Sequence, residues 1–267
     1  MNKPIGIIDS GVGGLTVTKE VMRQLPNEEI IYLGDTKRCP YGPRNPEEVK
    51  EFTWQLTNFL LTKDIKMLII ACNTATAVAL EDIQSKLDIP VLGVIAPGAR
   101  TAIKVTKSKK IGVLGTEITI KTKAYESALK DMSEDVTVSG LACPKFVPLV
   151  ESGQFEGELT DRIINETLAN FSNLEMDTLI LGCTHYPHLE KAIAKVMGPH
   201  VKIISSGDET AYEASAILHH KHMLRKKKQV PVHRFYTTGS IKKFKSIADT
   251  WLNGDFNNVY HIDLKNK

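Results

Sequence analysis

The strongest constraint on this chain is a rhythm in which short, continuously apolar runs alternate with longer stretches of helical period. Runs such as "MLIIA" and "TLILG" place apolar side chains at consecutive positions, so both faces of each strand must be covered by other elements. "PIGIID" is followed by a helical pattern from Leu15 to Gln24, "EIIYLGD" by one from Pro46 to Thr62, and "KMLIIAC" comes next. The pattern predicts an α/β protein made of doubly wound, mainly parallel sheets wrapped by helices. A chain of 267 residues with 42% hydrophobic content can supply cores for two modest domains.

An internal repeat sharpens this expectation. In the first half "IGIIDSGVGG" starts a strand and turn, "DTKRCPYG" forms a loop, and "LIIACNTATA" ends a strand and starts a helix. In the second half "IGVLGTEITI", "ACPKFVP" and "LILGCTHYP" follow in the same order. The four cysteines Cys39, Cys72, Cys143 and Cys183 fall at corresponding points, and Pro follows both loop cysteines. Two pseudo-symmetric domains are expected, residues 1–96 with 207–267 and residues 97–206. The chain should cross between them in linkers at "VIAPGAR" around Pro97 and "SSGDET" around Gly207. A helix to Leu224, a strand "HRFYTTG" and a helix from Ile241 to Leu252 should then complete the first domain.

Composition excludes several classes of function. The charge is nearly balanced at +3, so no global attraction to nucleic acid or an anionic membrane is expected. The longest apolar runs, such as Met67 to Cys72, are too short to span a bilayer, and the N-terminus leads straight into a strand without a secretory signal. A cytoplasmic protein with free thiols is expected; no CxxC spacing suggests zinc or dithiol redox chemistry. "HHKH" at His219 to His222 reads as surface polarity, because adjacent helix residues do not converge on a metal. The run Arg225 to Lys228 reads as a solvated helix end, and Trp54 and Trp251 as helix-packing residues.

Ligands of open α/β sheets bind beyond the carboxyl ends of strands, near helix N-termini. The strand reading puts Asp9, Ser10, Asn73, Thr74, Thr116, Thr184 and His185 there, with Cys72 and Cys183 approaching a ligand from opposite sides. Inverting a stereocentre by proton transfer needs one group to remove a proton from one face and another to deliver a proton to the other. A thiolate and a thiol can do this near neutrality if a helix N-terminus lowers one cysteine pKa. Asp9 and His185 are candidates to support the thiols, although a strand-terminal Asp can also be a turn residue. The turn "DSGVGGL" lacks a P-loop lysine and the dinucleotide spacing, and is read as backbone N–H groups near a small carboxylate.

These motifs together resemble the cofactor-independent glutamate racemases of bacteria, within the aspartate/glutamate racemase superfamily. The resemblance runs from "GIIDSGVGGLTV" through "YLGDTKRCPYG", "IIACNTATA" and "PKFVPLVESG" to "LILGCTHYP". It implies that Cys72 and Cys183 are the catalytic acid/base pair, with Asp9 and His185 remaining the candidates that the residue pattern offers to support them. It implies substrate binding by Asp9, Ser10, Tyr41, Gly42, Asn73, Thr74, Thr184 and His185, with Pro40, Thr116, Thr119 and Glu151 also lining the pocket. It further implies interconversion of L- and D-glutamate for peptidoglycan without pyridoxal phosphate, metal or nucleotide. The expected enzyme has two α/β domains around the site and forms a homodimer, with glutamate but no nucleic acid or membrane as partner. An aspartate racemase or another two-cysteine isomerase is the alternative within the superfamily. A two-lobed amino-acid-binding protein, with incidental cysteines, is the alternative outside it. Cys39 and Cys143 are expected to be structural.

Overall fold

A computed structural model describes residues 2–226, 230–254 and 256–264. Its strands are β1 (Ile5–Asp9), β2 (Ile30–Gly34), β3 (Met67–Ile70), β4 (Val91–Gly93), β5 (Lys110–Gly115), β6 (Thr137–Ala142), β7 (Thr178–Gly182), β8 (Lys202–Ser205), β9 (Arg234–Thr237) and β10 (Val259–His261). They form two sheets, ordered β10-β9-β2-β1-β3-β4 and β6-β5-β7-β8. Every pairing is parallel. The order β2-β1-β3-β4 in one sheet recurs as β6-β5-β7-β8 in the other, so the sequence repeat is a repeat of topology. Strands β1, β2, β3 and β7, read from the long apolar runs, are fully buried, as is the short β4.

Local sequence sets the helix ends. Asn45 caps helix Pro46–Leu61 by accepting from Glu47 N at 2.9 Å, with Pro at the first helical position, where its missing N–H costs nothing. Trp54 joins this helix to helix Asn73–Gln84 through Nε1, which donates to Asp82 at 2.7 Å. Lys66 is fully buried and pairs with Glu28 at 2.6 Å while donating to the Met223 carbonyl at 2.7 Å, which ties the returning chain to the first sheet.

Three expectations need correction. "VIAPGAR" is no loop but the start of helix Ile95–Val105, which itself carries the chain from β4 to β5; Pro97 fits because the first turn has no intrahelical N–H bond to lose. "ACPKFVP" is likewise only a short turn before helix Phe146–Glu151, with Pro148 again in the first turn. The helix after Ser206 stops at His220 rather than Leu224, because His222 turns the chain into a left-handed conformation with φ 55°. Arg225 lies past that end, donating to Glu28 and Glu29; Lys227 and Lys228 of the basic run lie outside the described residues. Strand β10 went unforeseen. Among the described residues no helix is long and apolar enough to cross a membrane.

Candidate active site

In each sheet the strand order reverses once, between β1 and β3 and between β5 and β7. Such switch points leave a crevice beyond the strand ends. Asp9, Ser10 and Cys72 lie at the first, Thr116 and Cys183 at the second. The two crevices share one cavity, lined by Ser10, Pro40, Tyr41, Gly42, Cys72, Asn73, Thr74, Thr116, Cys183, Thr184 and His185. Its volume is about 10 Å³, room for one water molecule. The halves meet tightly here: Thr16 Oγ1 donates to the Thr184 carbonyl at 3.1 Å, and Thr74 and Thr116 hydroxyls stand 2.8 Å apart.

Of the remaining expected residues, Asp9, Thr119 and Glu151 sit just behind this lining. Asp9 is buried and bridges the halves, accepting from Gly11 N at 2.9 Å and from Thr184 Oγ1 at 3.4 Å. It therefore serves the glycine turn and the opposite domain together. Burial pushes its carboxyl upward against the pull of His185 and these hydrogen bonds. Thr119 backs Thr116, with the hydroxyls 3.0 Å apart. Glu151 reaches His185 Nε2 at 3.2 Å and opens on an adjoining pocket of about 340 Å³.

The two thiols have unlike surroundings. Cys72 is the N-cap of helix Asn73–Gln84; its sulfur accepts from Ala75 N at 3.4 Å and faces Ser10 Oγ at 3.6 Å. The helix N-terminus does not lower its pKa as expected. Burial, then the Asp9 charge, outweigh the Ala75 and Ser10 hydrogen bonds and push it up to about 12. Cys183 is followed by a four-residue 3₁₀ turn, Tyr186–Leu189, and not directly by an α-helix. Its partner is His185, whose Nδ1 stands 3.8 Å from the sulfur. Burial disfavours the His185 imidazolium, but hydrogen bonds to Cys183 and Glu151 overcome this and raise it to about 10. A charged imidazolium beside Cys183 is a ready counter-charge for a thiolate.

Sequence reasoning missed three contributors. Cys39, taken as structural, lines the cavity and donates to Glu151 Oε1 at 3.2 Å; its place beside Pro40 was the available signal. Val147 also lines the cavity, from the helix misread as a loop. Asp35, inside the quoted "DTKRCPYG", has a fully buried side chain that accepts from Tyr41 at 2.5 Å, Arg38 at 2.6 Å and Thr238 at 2.7 Å. It holds the loop that presents Tyr41. Cys143 lines no part of this cavity and its thiol faces the Leu141 carbonyl at 3.6 Å.

Two strand-end thiols, one from each sheet, thus line one cavity. The family model described as Asp/Glu/Hydantoin racemase matches residues 5–214. The chain belongs to this racemase family. It is 57% identical to a glutamate racemase of Bacillus cereus over 265 residues, which is 99% of this chain and 98% of the relative. Its fold matches the crystal structure of a glutamate racemase isoform from Bacillus anthracis with a TM-score of 0.95 at 48% identity, covering 98% of each chain. The structure of Francisella tularensis glutamate racemase in complex with D-glutamate matches with a TM-score of 0.92 at 34% identity, again covering 98% of each chain. The family member described here is thus an isomerase, with the two-domain α/β architecture of these racemases.

Proposed function

We propose that this racemase interconverts L- and D-glutamate by two-base proton transfer, with Cys72 and Cys183 each serving one face of the α-carbon and with no pyridoxal phosphate, metal or nucleotide. The observation that carries the reading is the placement of both thiols, one from each repeat, on a single cavity. In one direction the Cys183 thiolate, beside the His185 imidazolium, takes the α-proton as the Cα–H bond breaks. The proton held on Cys72 is delivered to the opposite face, forming the new Cα–H bond. Cys183 ends protonated and Cys72 ends as the thiolate, ready for the reverse reaction. Ser10, Asn73, Thr74, Thr116, Thr184 and the Tyr41–Gly42 backbone supply the polar groups that hold the substrate and the charge developing on it. A cavity with room for one water must widen to admit an amino acid, so the halves part for binding and close for proton transfer.

Glutamate is favoured over aspartate by full-length likeness to proteins named glutamate racemase. A binding protein would have no use for two thiols at equivalent strand ends. The same proposal includes a cytoplasmic homodimer that supplies D-glutamate for peptidoglycan. It also includes domains of residues 1–96 with 207–267 and residues 97–206. The test is to incubate purified protein with L-glutamate in deuterated water, with no added cofactor, following optical activity and α-hydrogen exchange. Racemisation with deuterium incorporation is expected, and its absence would sink the reading. Cys72→Ala and Cys183→Ala should each abolish racemisation; near-normal activity in either variant refutes the two-thiol mechanism.

A further inference from the structure

Asn73 follows Cys72 directly, lines the cavity, and is 2% exposed. Its Oδ1 accepts from the Tyr125 hydroxyl at 2.7 Å, while its buried Nδ2 has no hydrogen-bond partner. A buried amide donor without a partner costs free energy unless a ligand satisfies it. Tyr125 comes from the other half, on helix Ala124–Met132, and is itself 2% exposed. Its ring is packed so closely on Gly182 that a Cβ there would stand 3.0 Å from Tyr125 Cε2. Tyr125 therefore touches the residue before Cys183 and the residue after Cys72.

We infer that Tyr125 is a positioning residue that locks the Asn73 carboxamide with its Nδ2 donor turned toward a carboxylate oxygen of the substrate. The inference rests on the racemase reading above. An unlocked carboxamide can turn over and present its oxygen to the carboxylate, replacing an attraction with a repulsion. Because the lock spans the two halves, the donor is set when the cleft closes and free when it opens. Gly182 is required first by the Leu114 carbonyl oxygen, which would stand 2.7 Å from a Cβ there, and the Tyr125 ring closes the space further.

The experiment is a double-mutant cycle of Tyr125→Phe with Asn73→Ala, reading KM and kcat for both enantiomers. Calorimetric Kd for glutamate pre-equilibrated to the mixture of both enantiomers gives a readout independent of turnover, because no net racemisation then occurs. Tyr125→Phe alone should raise KM and Kd about tenfold while kcat changes by less than about threefold, as expected for loss of an interaction that binds substrate and transition state alike. In the Asn73→Ala background the same substitution should have no further effect, because the group it positions is gone. Additive effects in the two backgrounds, or an unchanged Kd in Tyr125→Phe, overturn the inference even if the wild type racemises glutamate. Failure of the wild type to exchange the α-proton or to bind glutamate instead removes the racemase reading on which it rests.

Discussion

Gly13 offers a severe test of how closely the two halves must meet. A Cβ at Gly13 would lie 2.3 Å from Thr184 Oγ1, 2.6 Å from His185 Nδ1 and 2.7 Å from His185 Cε1. All three are far inside van der Waals contact, and the two side chains are only 5% and 2% exposed, so neither can swing into solvent. Gly13 is not among the residues with positive φ, so alanine suits its backbone and would reduce the entropy of the unfolded chain. Any loss must therefore come from overpacking, which costs about 1–3 kcal/mol. The strain is relieved by parting the halves, which draws Thr184 from Asp9 and Cys183 from Cys72. Gly13→Ala should thus lower kcat/KM by about 5- to 150-fold in both directions, while the unfolding midpoint in urea changes little because the open form escapes the clash. Racemisation followed by circular dichroism, alongside urea unfolding, measures both. A variant with wild-type kcat/KM would show that the contact of the Gly13 turn with Thr184 and His185 is not needed for proton transfer.

Four further outcomes follow from the same geometry. His185→Asn should cut kcat most in the direction that uses a Cys183 thiolate, by about 100-fold, read as unequal initial rates from saturating L- and D-glutamate while kcat/KM falls equally in both directions; equal losses of kcat would deny His185 its link to one thiol. The His185 pKa is raised to about 10 from 6.5, so its stabilising charge is fully present below pH 6.5 and lost as pH rises through about 10; the wild-type melting temperature should accordingly fall more than that of His185→Asn between about pH 8 and pH 10.5. Asp35→Asn leaves at least one of Tyr41, Arg38 and Thr238 without its acceptor and should cost about 3 kcal/mol in urea unfolding, a loss below about 1 kcal/mol counting against the role given to Asp35. Cys39→Ala removes one hydrogen bond to Glu151 but leaves that of His185, so kcat/KM should fall less than about tenfold; inactivity in a folded variant would make Cys39 essential.

The strands that carry the site were legible because burial on both faces demands an unbroken apolar run, as in Met67–Ile70 and Thr178–Leu181. Motif order alone paired Cys72 with Cys183, and the cavity holds both. Two segments misled. "VIAPGAR" suggested a linker and "ACPKFVP" a loop, yet Pro97 and Pro148 each sit in a first helical turn, a position that depends on where the helix starts. The state of the thiols was also illegible. A helix N-terminus is visible in sequence, but its effect on Cys72 is outweighed by burial and by Asp9, which lies 63 positions away in the chain. Asp35 and Tyr125 escaped notice because their importance comes from partners on other elements: Thr238 beyond β9, and Asn73 across the cleft.

The inequality of the two thiols has a consequence for how this racemase divides its effort. L- and D-glutamate have the same free energy in water, so the ratio of kcat to KM must be identical in the two directions, whatever the protein does. Serine beside Cys72 and histidine beside Cys183 cannot displace that balance. They can only decide which of the two resting protonation states is more populated, and therefore which enantiomer finds its catalyst already in the right form. A faster turnover from one enantiomer must be matched by a proportionally weaker apparent affinity for it. The chain is a duplicated fold with an unduplicated proton inventory, and its handedness is expressed in saturation behaviour rather than in the final mixture.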